Sequence, residues 1–249
     1  MREKKLFKNI ADLMLTLLVM AGTLSLAWIG MNKAKSIPAS AIPSDALGFN
    51  NEDLVIVIDA GHGGEDCGAV GTETGVKEAE LNLAVAELVS DELTRNGAYV
   101  IMTRSGEGAI GKTKDEDMRE RSRIMNIEGV DLVVSIHMNK FGDRSVSGPM
   151  VFYMRGSEAG KEFAGYVMDS ICDALGRQKR NINPEDLFVL REPKSPSILV
   201  ECGFLSNPED EAMLLTEEHR QKLAEGISRG ILAYAERIKN GPGVDPLQP

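Results

Sequence analysis

Three short runs of β-branched and aliphatic residues, each leading to a residue able to carry chemistry, set the strongest limit on how this chain folds. Val55-Ile56-Val57-Ile58 continues through Asp59, Ala60 and Gly61 to His62; Leu132-Val133-Val134-Ser135-Ile136 ends on His137; Ile198-Leu199-Val200 ends on Glu201. Near-continuous apolar runs of this kind belong to strands covered on both faces, as in the parallel sheets of α/β proteins. Ligands in such sheets gather at the carboxyl ends of the strands. Two of the chain's three histidines and an acid thus arrive together at one sheet edge. Imidazole with carboxylate is the donor chemistry of a catalytic zinc site, so the pattern points to an enzyme.

Helical spacing fills the gaps between the runs. Leu81, Ala84, Val85 and Leu88 fall at i, i+3, i+4 and i+7 and predict a helix from about Glu78 to Asn96, stopped at Gly97. A strand is expected over Ala98–Thr103, a charged helix over Asp115–Ile127, a strand over Pro149–Met154 and a helix over Glu158–Leu175. Asn207 before Pro208, Glu209 and Asp210 reads as an N-cap, a proline in the first turn and an acidic helix start. A last helix places Leu223, Ile227, Ile231 and Tyr234 on one face. The expected fold is a single α/β domain over residues 54–239, with a mostly parallel, helix-flanked β-sheet and no internal repeat.

The N-terminal residues 1–31 have another character. Arg2, Lys4, Lys5 and Lys8 precede an uncharged run of 19 residues, Leu13 to Met31. At about 1.5 Å per residue such a helix nearly spans a hydrocarbon core of roughly 30 Å. The flanking charge then leaves the N-terminus in the cytoplasm and exports the rest, giving an anchored, extracytoplasmic catalytic domain. A cleaved signal peptide is the competing reading, with Ala39-Ser40-Ala41 as its small-residue site. Residues 32–53, with Pro38 and Pro43 among serines, read as a linker, and 240–249 as a disordered tail. Beyond residue 50 the chain keeps 22 basic and 35 acidic residues, a formal charge of −13 against −10 for the whole. A body this acidic disfavours nucleic acid as a partner. Three cysteines, Cys67, Cys172 and Cys202, imply free thiols rather than a disulfide framework.

Taken singly, each candidate residue has a bland explanation. His62 lies in Gly61-His62-Gly63-Gly64, a tight loop whose histidine can simply face solvent, and His137 can be a hydrogen-bonded strand-end histidine. Their shared position at strand ends is what favours chemistry. His219, among Glu217, Glu218 and Arg220, serves as the control and reads as surface. Glu78 opens a helix, where any carboxylate is favoured by the dipole, and Glu73 and Glu80 rival it on spacing alone. Glu201 is the clearest outlier, because a carboxylate closing an apolar run loses solvation unless an arginine or a catalytic role compensates.

Four segments together carry a resemblance: Asp59-Ala60-Gly61-His62-Gly63-Gly64, Lys77-Glu78-Ala79-Glu80-Leu81-Asn82-Leu83, Ser135-Ile136-His137-Met138-Asn139 and Val200-Glu201-Cys202-Gly203-Phe204-Leu205-Ser206-Asn207. In this order they resemble the zinc-dependent N-acetylmuramoyl-L-alanine amidases of the amidase 3 family, from about Val55 to Ile238. The resemblance implies zinc held by His62, Glu78 and His137, a fourth position left for water, and Glu201 as the catalytic glutamate. It implies cleavage of the lactyl amide between N-acetylmuramic acid and L-alanine in peptidoglycan. Asp59 and Asn139 become candidate supporting or substrate contacts. Cys202 stands where the family often carries an uncharged residue such as leucine. Some members insert a blocking helix, and Met138 to Gly148 is too short to hold one. No wall-binding repeat domain is visible, which leaves the N-terminal helix in the membrane as the targeting device and any activating protein partner unidentified. Such a short amidase is similar to the sporulation enzymes that prepare muramic-δ-lactam in spore cortex. The rival readings are a zinc carboxypeptidase or endopeptidase acting on the stem peptide, and a non-catalytic wall-binding protein.

Overall fold

Residues 53–241 and the two-residue strand β1 (Ile37–Pro38) are described in the computed structural model. The order along the chain is β2 (Val55–Ala60), α1 (Glu78–Arg95), β3 (Tyr99–Met102), α2 (Lys114–Met125), β4 (Leu132–Asn139), β5 (Met150–Met154) and α3 (Glu158–Leu175). There follow β6 (Asn183–Glu185), α4 (Phe188–Arg191), β7 (Ser197–Phe204), α5 (Pro208–Leu214) and α6 (Glu217–Asn240). The strands form one sheet in the order β1-β3-β2-β4-β7-β5-β6, within a single α/β domain.

β3, β2, β4 and β7 run parallel, as their apolar runs require, and β5 lies antiparallel to β7. That reversal was not foreseen from the sequence, yet it follows from the connection. A parallel return needs a crossover of about a dozen residues, usually helical, and the segment between β4 and β5 is shorter and contains no helix. β6 and α4, short and weakly patterned, were also missed. Ile37 and Pro38, inside the expected linker, pair with Ile101 and Met102. The expected membrane anchor, the rest of the linker and most of the expected tail lie outside the described residues. Among the described residues no helix is long and apolar enough to cross a membrane.

The two faces of the sheet bury different things. Even-numbered side chains (Ile56, Ile58, Val134, Ile136, Ile198, Val200) pack against α1, α3 and α6 through residues such as Val85, Val167 and Ile227. Each such burial contributes about 1.5–3 kcal/mol. α3 and α6 approach closely because Gly226 and Gly230 lack side chains; a Cβ on Gly230 would stand 2.6 Å from the Cα of Val167. Odd-numbered Val57, Val133 and Leu199 meet Ile124 and Met125 of α2 and Val189 and Leu190 of α4. Towards the carboxyl edge this second face turns polar, running from Val57 to Asp59, from Val133 through Ser135 to His137, and from Leu199 to Glu201.

Candidate metal centre

That polar edge carries the site. β2 is paired so that Ala60 lies beside Ile136, and β4 so that His137 lies beside Glu201 on the same face. Gly61 and His62 turn the chain off β2, with His62 in the left-handed region at φ 61°. Glu78 starts α1 and is driven back towards the sheet, only 4% exposed.

The Oε1 of Glu78 lies 2.9 Å from Nδ1 of His137 and 3.2 Å from Nε2 of His62. One donor atom from each of the three residues falls within 4.8 Å of the others. Main-chain N–H groups of Ala69 (2.7 Å) and Met138 (3.2 Å) also donate to this carboxylate. Burial pushes the Glu78 carboxyl up, but hydrogen bonds from His137 and His62 outweigh it and hold the group well below the usual range. The rival acids stand apart: Glu73 is exposed and paired with Arg144, and Glu80 is exposed and 3.8 Å from Lys77.

Two glycines keep the space clear. A Cβ on Gly61 would sit 2.2 Å from Cε1 of His137, and one on Gly68 would sit 2.5 Å from Oε2 of Glu78. Two imidazole nitrogens and one carboxylate oxygen converging in this way suit a tetrahedral cation with an open fourth position. The nitrogen of His62 that faces away, Nδ1, is 3.0 Å from Oδ1 of Asp66, the kind of outer carboxylate that fixes a ligand ring.

Glu201 sits beside the cluster without the arginine partner that a structural role would require. Among the described residues it forms no ion pair, and its buried Oε2 has no hydrogen-bond partner. Burial pushes its carboxyl up to about 7; the neighbouring His137 and His62 hold it down and Glu78 drives it higher. A carboxyl poised near neutrality next to convergent metal donors is the arrangement of a proton-transfer group.

Residues 56–233 match the N-acetylmuramoyl-L-alanine amidase family Amidase_3. The chain belongs to that family. It is 34% identical over 189 residues to the germination-specific N-acetylmuramoyl-L-alanine amidase of Bacillus subtilis, covering 72% of this chain and 79% of the relative. It is 35% identical over 188 residues to the uncharacterised YqiI protein of the same organism, covering 75% and 87%. The solved CwlD amidase of Clostridioides difficile, in complex with the GerS lipoprotein, superposes with a TM-score of 0.71 at 29% identity, covering 74% of this chain and 99% of that one.

In this amidase Asp59 is enclosed by its hydrogen-bond partners. It is wholly buried and accepts hydrogen bonds from Arg121 (2.5 Å), Ser135 (2.5 Å) and Thr103 (2.8 Å). Burial raises its carboxyl, and Arg121 with these hydroxyls more than reverses that, so it stays ionised beneath His137. Asn139 turns its amide towards Sδ of Met150 at 3.8 Å. Cys202 is buried on the opposite, even-numbered face, where burial pushes its thiol far up and leaves it inert. All three cysteines are free. His219 is half-buried rather than fully exposed and belongs to the first turn of α6.

Asp66, Asn82, Arg104 and Arg121 had no role in the sequence reading. Arg104 and Arg121 were legible in principle, as a cation just past the apolar strand β3 and as the one arginine of α2 turned inward. His62 and His137 open onto a cleft of about 710 Å³, bounded across from them by Gly111–Lys114 and Met118.

Proposed function

We propose that this protein is a zinc-dependent N-acetylmuramoyl-L-alanine amidase that cleaves the lactyl amide between N-acetylmuramic acid and L-alanine in peptidoglycan. The observation that carries the reading is the half-buried Glu201, whose Oε2 is buried without a hydrogen-bond partner among the described residues, next to the convergent His62, Glu78 and His137. Those three residues would hold the metal. When bound, zinc supplies a Lewis acid for the scissile carbonyl and lowers the pKa of water. Glu201 takes the proton of the attacking water and later passes it to the departing nitrogen of L-alanine. The C–N bond breaks, the water oxygen stays on the lactyl carbon, and the products are a lactyl carboxylate and a peptide with a free L-alanine amine. Asp66 orients His62, and ionised Asp59 with Arg121 keeps the floor under His137 fixed.

The similarity to a germination-specific amidase supports a place in spore cortex maturation, where release of the peptide leaves muramic acid ready to close to its δ-lactam. The basic tip and apolar run of residues 1–31 support an extracytoplasmic catalytic domain tethered to the membrane. The lipoprotein complex of the C. difficile amidase supports a protein partner for this chain as well. Purified peptidoglycan incubated with the protein, followed by metal analysis and product mass spectrometry, tests the assignment. Free L-alanine amines, intact lactyl carboxylates and about one zinc per chain are expected for a three-ligand site. Cleavage confined to bonds within the stem peptide would overturn it.

A further inference from the structure

We propose that Asn82 and Arg104 act as positioning residues that jointly fix the distance between His62 and Glu78; the inference rests on the metal assignment above. The two donors come from separate elements, since His62 follows β2 and Glu78 opens α1. Something must hold loop and helix at a set separation.

Asn82 lies one helical turn beyond Glu78 and is fully buried. Its Nδ2 donates to the carbonyl oxygen of Gly61 at 3.1 Å and to Oε1 of Glu78 at 3.2 Å. One nitrogen thus touches both the peptide preceding His62 and the acid itself. The Oδ1 of Asn82 has no hydrogen-bond partner among the described residues, so the donor side alone orients the amide. Leaving a buried acceptor unsatisfied destabilises the fold, so stability alone gives no reason for an amide at this position.

Arg104 grips the same seam from the other side. Its Nε donates to the carbonyl of Ala60 at 2.9 Å, and its Nη2 to those of Gly61 at 3.0 Å and Ala79 at 2.7 Å. Ala60 ends β2, Gly61 follows it directly, and Ala79 lies one residue past Glu78. Arg104 is only 3% exposed and forms no ion pair among the described residues, so its donors are committed to main-chain carbonyls. A buried cation held this way is a poor stabiliser and a good spacer. Gly63, at φ +136°, lies close over this side chain: a Cβ there would stand 2.9 Å from the carbonyl oxygen of Gly108 and 3.2 Å from Cδ and Nε of Arg104. The Gly61 carbonyl is the acceptor that Asn82 and Arg104 share.

The test uses the full-length protein, with zinc affinity measured by competition with a chromophoric chelator and Tm measured after metal removal. Asn82→Ala and Arg104→Lys are each expected to weaken zinc binding by about 10–100-fold, the usual effect of losing an outer support. Val85→Ala, on the same helix, supplies the comparator for simple loss of stability. The double variant should lose less affinity than the product of the single losses, because the two act through one carbonyl. Zinc binding as tight as in the wild type, or a loss no larger than that of Val85→Ala scaled to its fall in Tm, overturns the proposal. Should Arg104→Lys fail to fold, Asn82→Ala decides alone. A wild-type protein that binds no zinc removes the metal assignment and this inference with it, whereas normal zinc binding by Asn82→Ala removes only the inference.

Discussion

Replacing Glu201 with glutamine should make the metal-free protein more stable in alkali while disabling it. The carboxyl is raised from 4.5 to about 7, chiefly by burial. A carboxyl with a higher pKa in the folded than in the unfolded chain binds its proton more tightly when folded. Its stabilising contribution is therefore complete below pH 4.5 and lost as pH rises through about 7. At about 1.36 kcal/mol per pH unit, the interval from 4.5 to about 7 is worth about 3 kcal/mol. Glutamine has no proton to lose and escapes this penalty. Thermal unfolding of chelator-treated wild type and Glu201→Gln, compared at pH 4 and pH 8.5, isolates the effect because every other titrating group is common to both. The Tm difference should move in favour of the variant by roughly 6–12 °C between the two pH values, at about 2–4 °C per kcal/mol for a chain of this size. Saturating zinc should narrow the gap, since a nearby cation favours the ionised carboxyl. A Tm difference that is the same at both pH values would refute the claim that Glu201 is buried and proton-binding near neutrality.

The same Glu201→Gln variant should keep its zinc yet lose about 10²–10⁴-fold in peptidoglycan hydrolysis, and loss of metal on dialysis would show that Glu201 is a ligand instead. Glu78→Ala should release zinc to a chelator that Glu80→Ala resists, and equal retention would undo the choice between these acids. Gly61→Ala, whose Cβ would lie 2.2 Å from the His137 ring, should cost on the order of 100-fold in zinc affinity, read by chelator competition. Gly230→Ala should lower stability by about 1–3 kcal/mol through overpacking against Val167, with zinc affinity unchanged; a changed affinity would mean that strain reaches the site.

The central strands were legible because a strand covered on both faces must be apolar at nearly every position, and β2, β4 and β7 are. Their long helical partners were legible from the 3.6-residue period. β5 was found as a strand but its direction was not, since direction depends on how much chain is available to return. The histidines and Glu201 stood out because polar atoms at the end of an apolar run need a reason. Glu78 did not stand out: its distinction from Glu73 and Glu80 lies in which side of the helix start faces the sheet, and periodicity placed all three equally. Arg121 escaped notice because its helix is rich in charge and looks solvated, although its guanidinium reaches 2.5 Å from Asp59 in the interior. Asn82 sat in plain sight inside an apolar face, and an isolated amide there carries no meaning until its two acceptors are known.

The division of the sheet by residue parity has a consequence for how this enzyme can change. Inserting or deleting one residue within β4 ahead of His137 would exchange the two sets of side chains, sending imidazole into the oily side and Ile136 or Met138 to the chemistry. Length variation is thereby excluded from the strand interiors and confined to the connections. Point substitutions at even positions, by contrast, tune how firmly the scaffold stands without altering what it cuts, so thermal adaptation and substrate preference can be selected separately along the same strands.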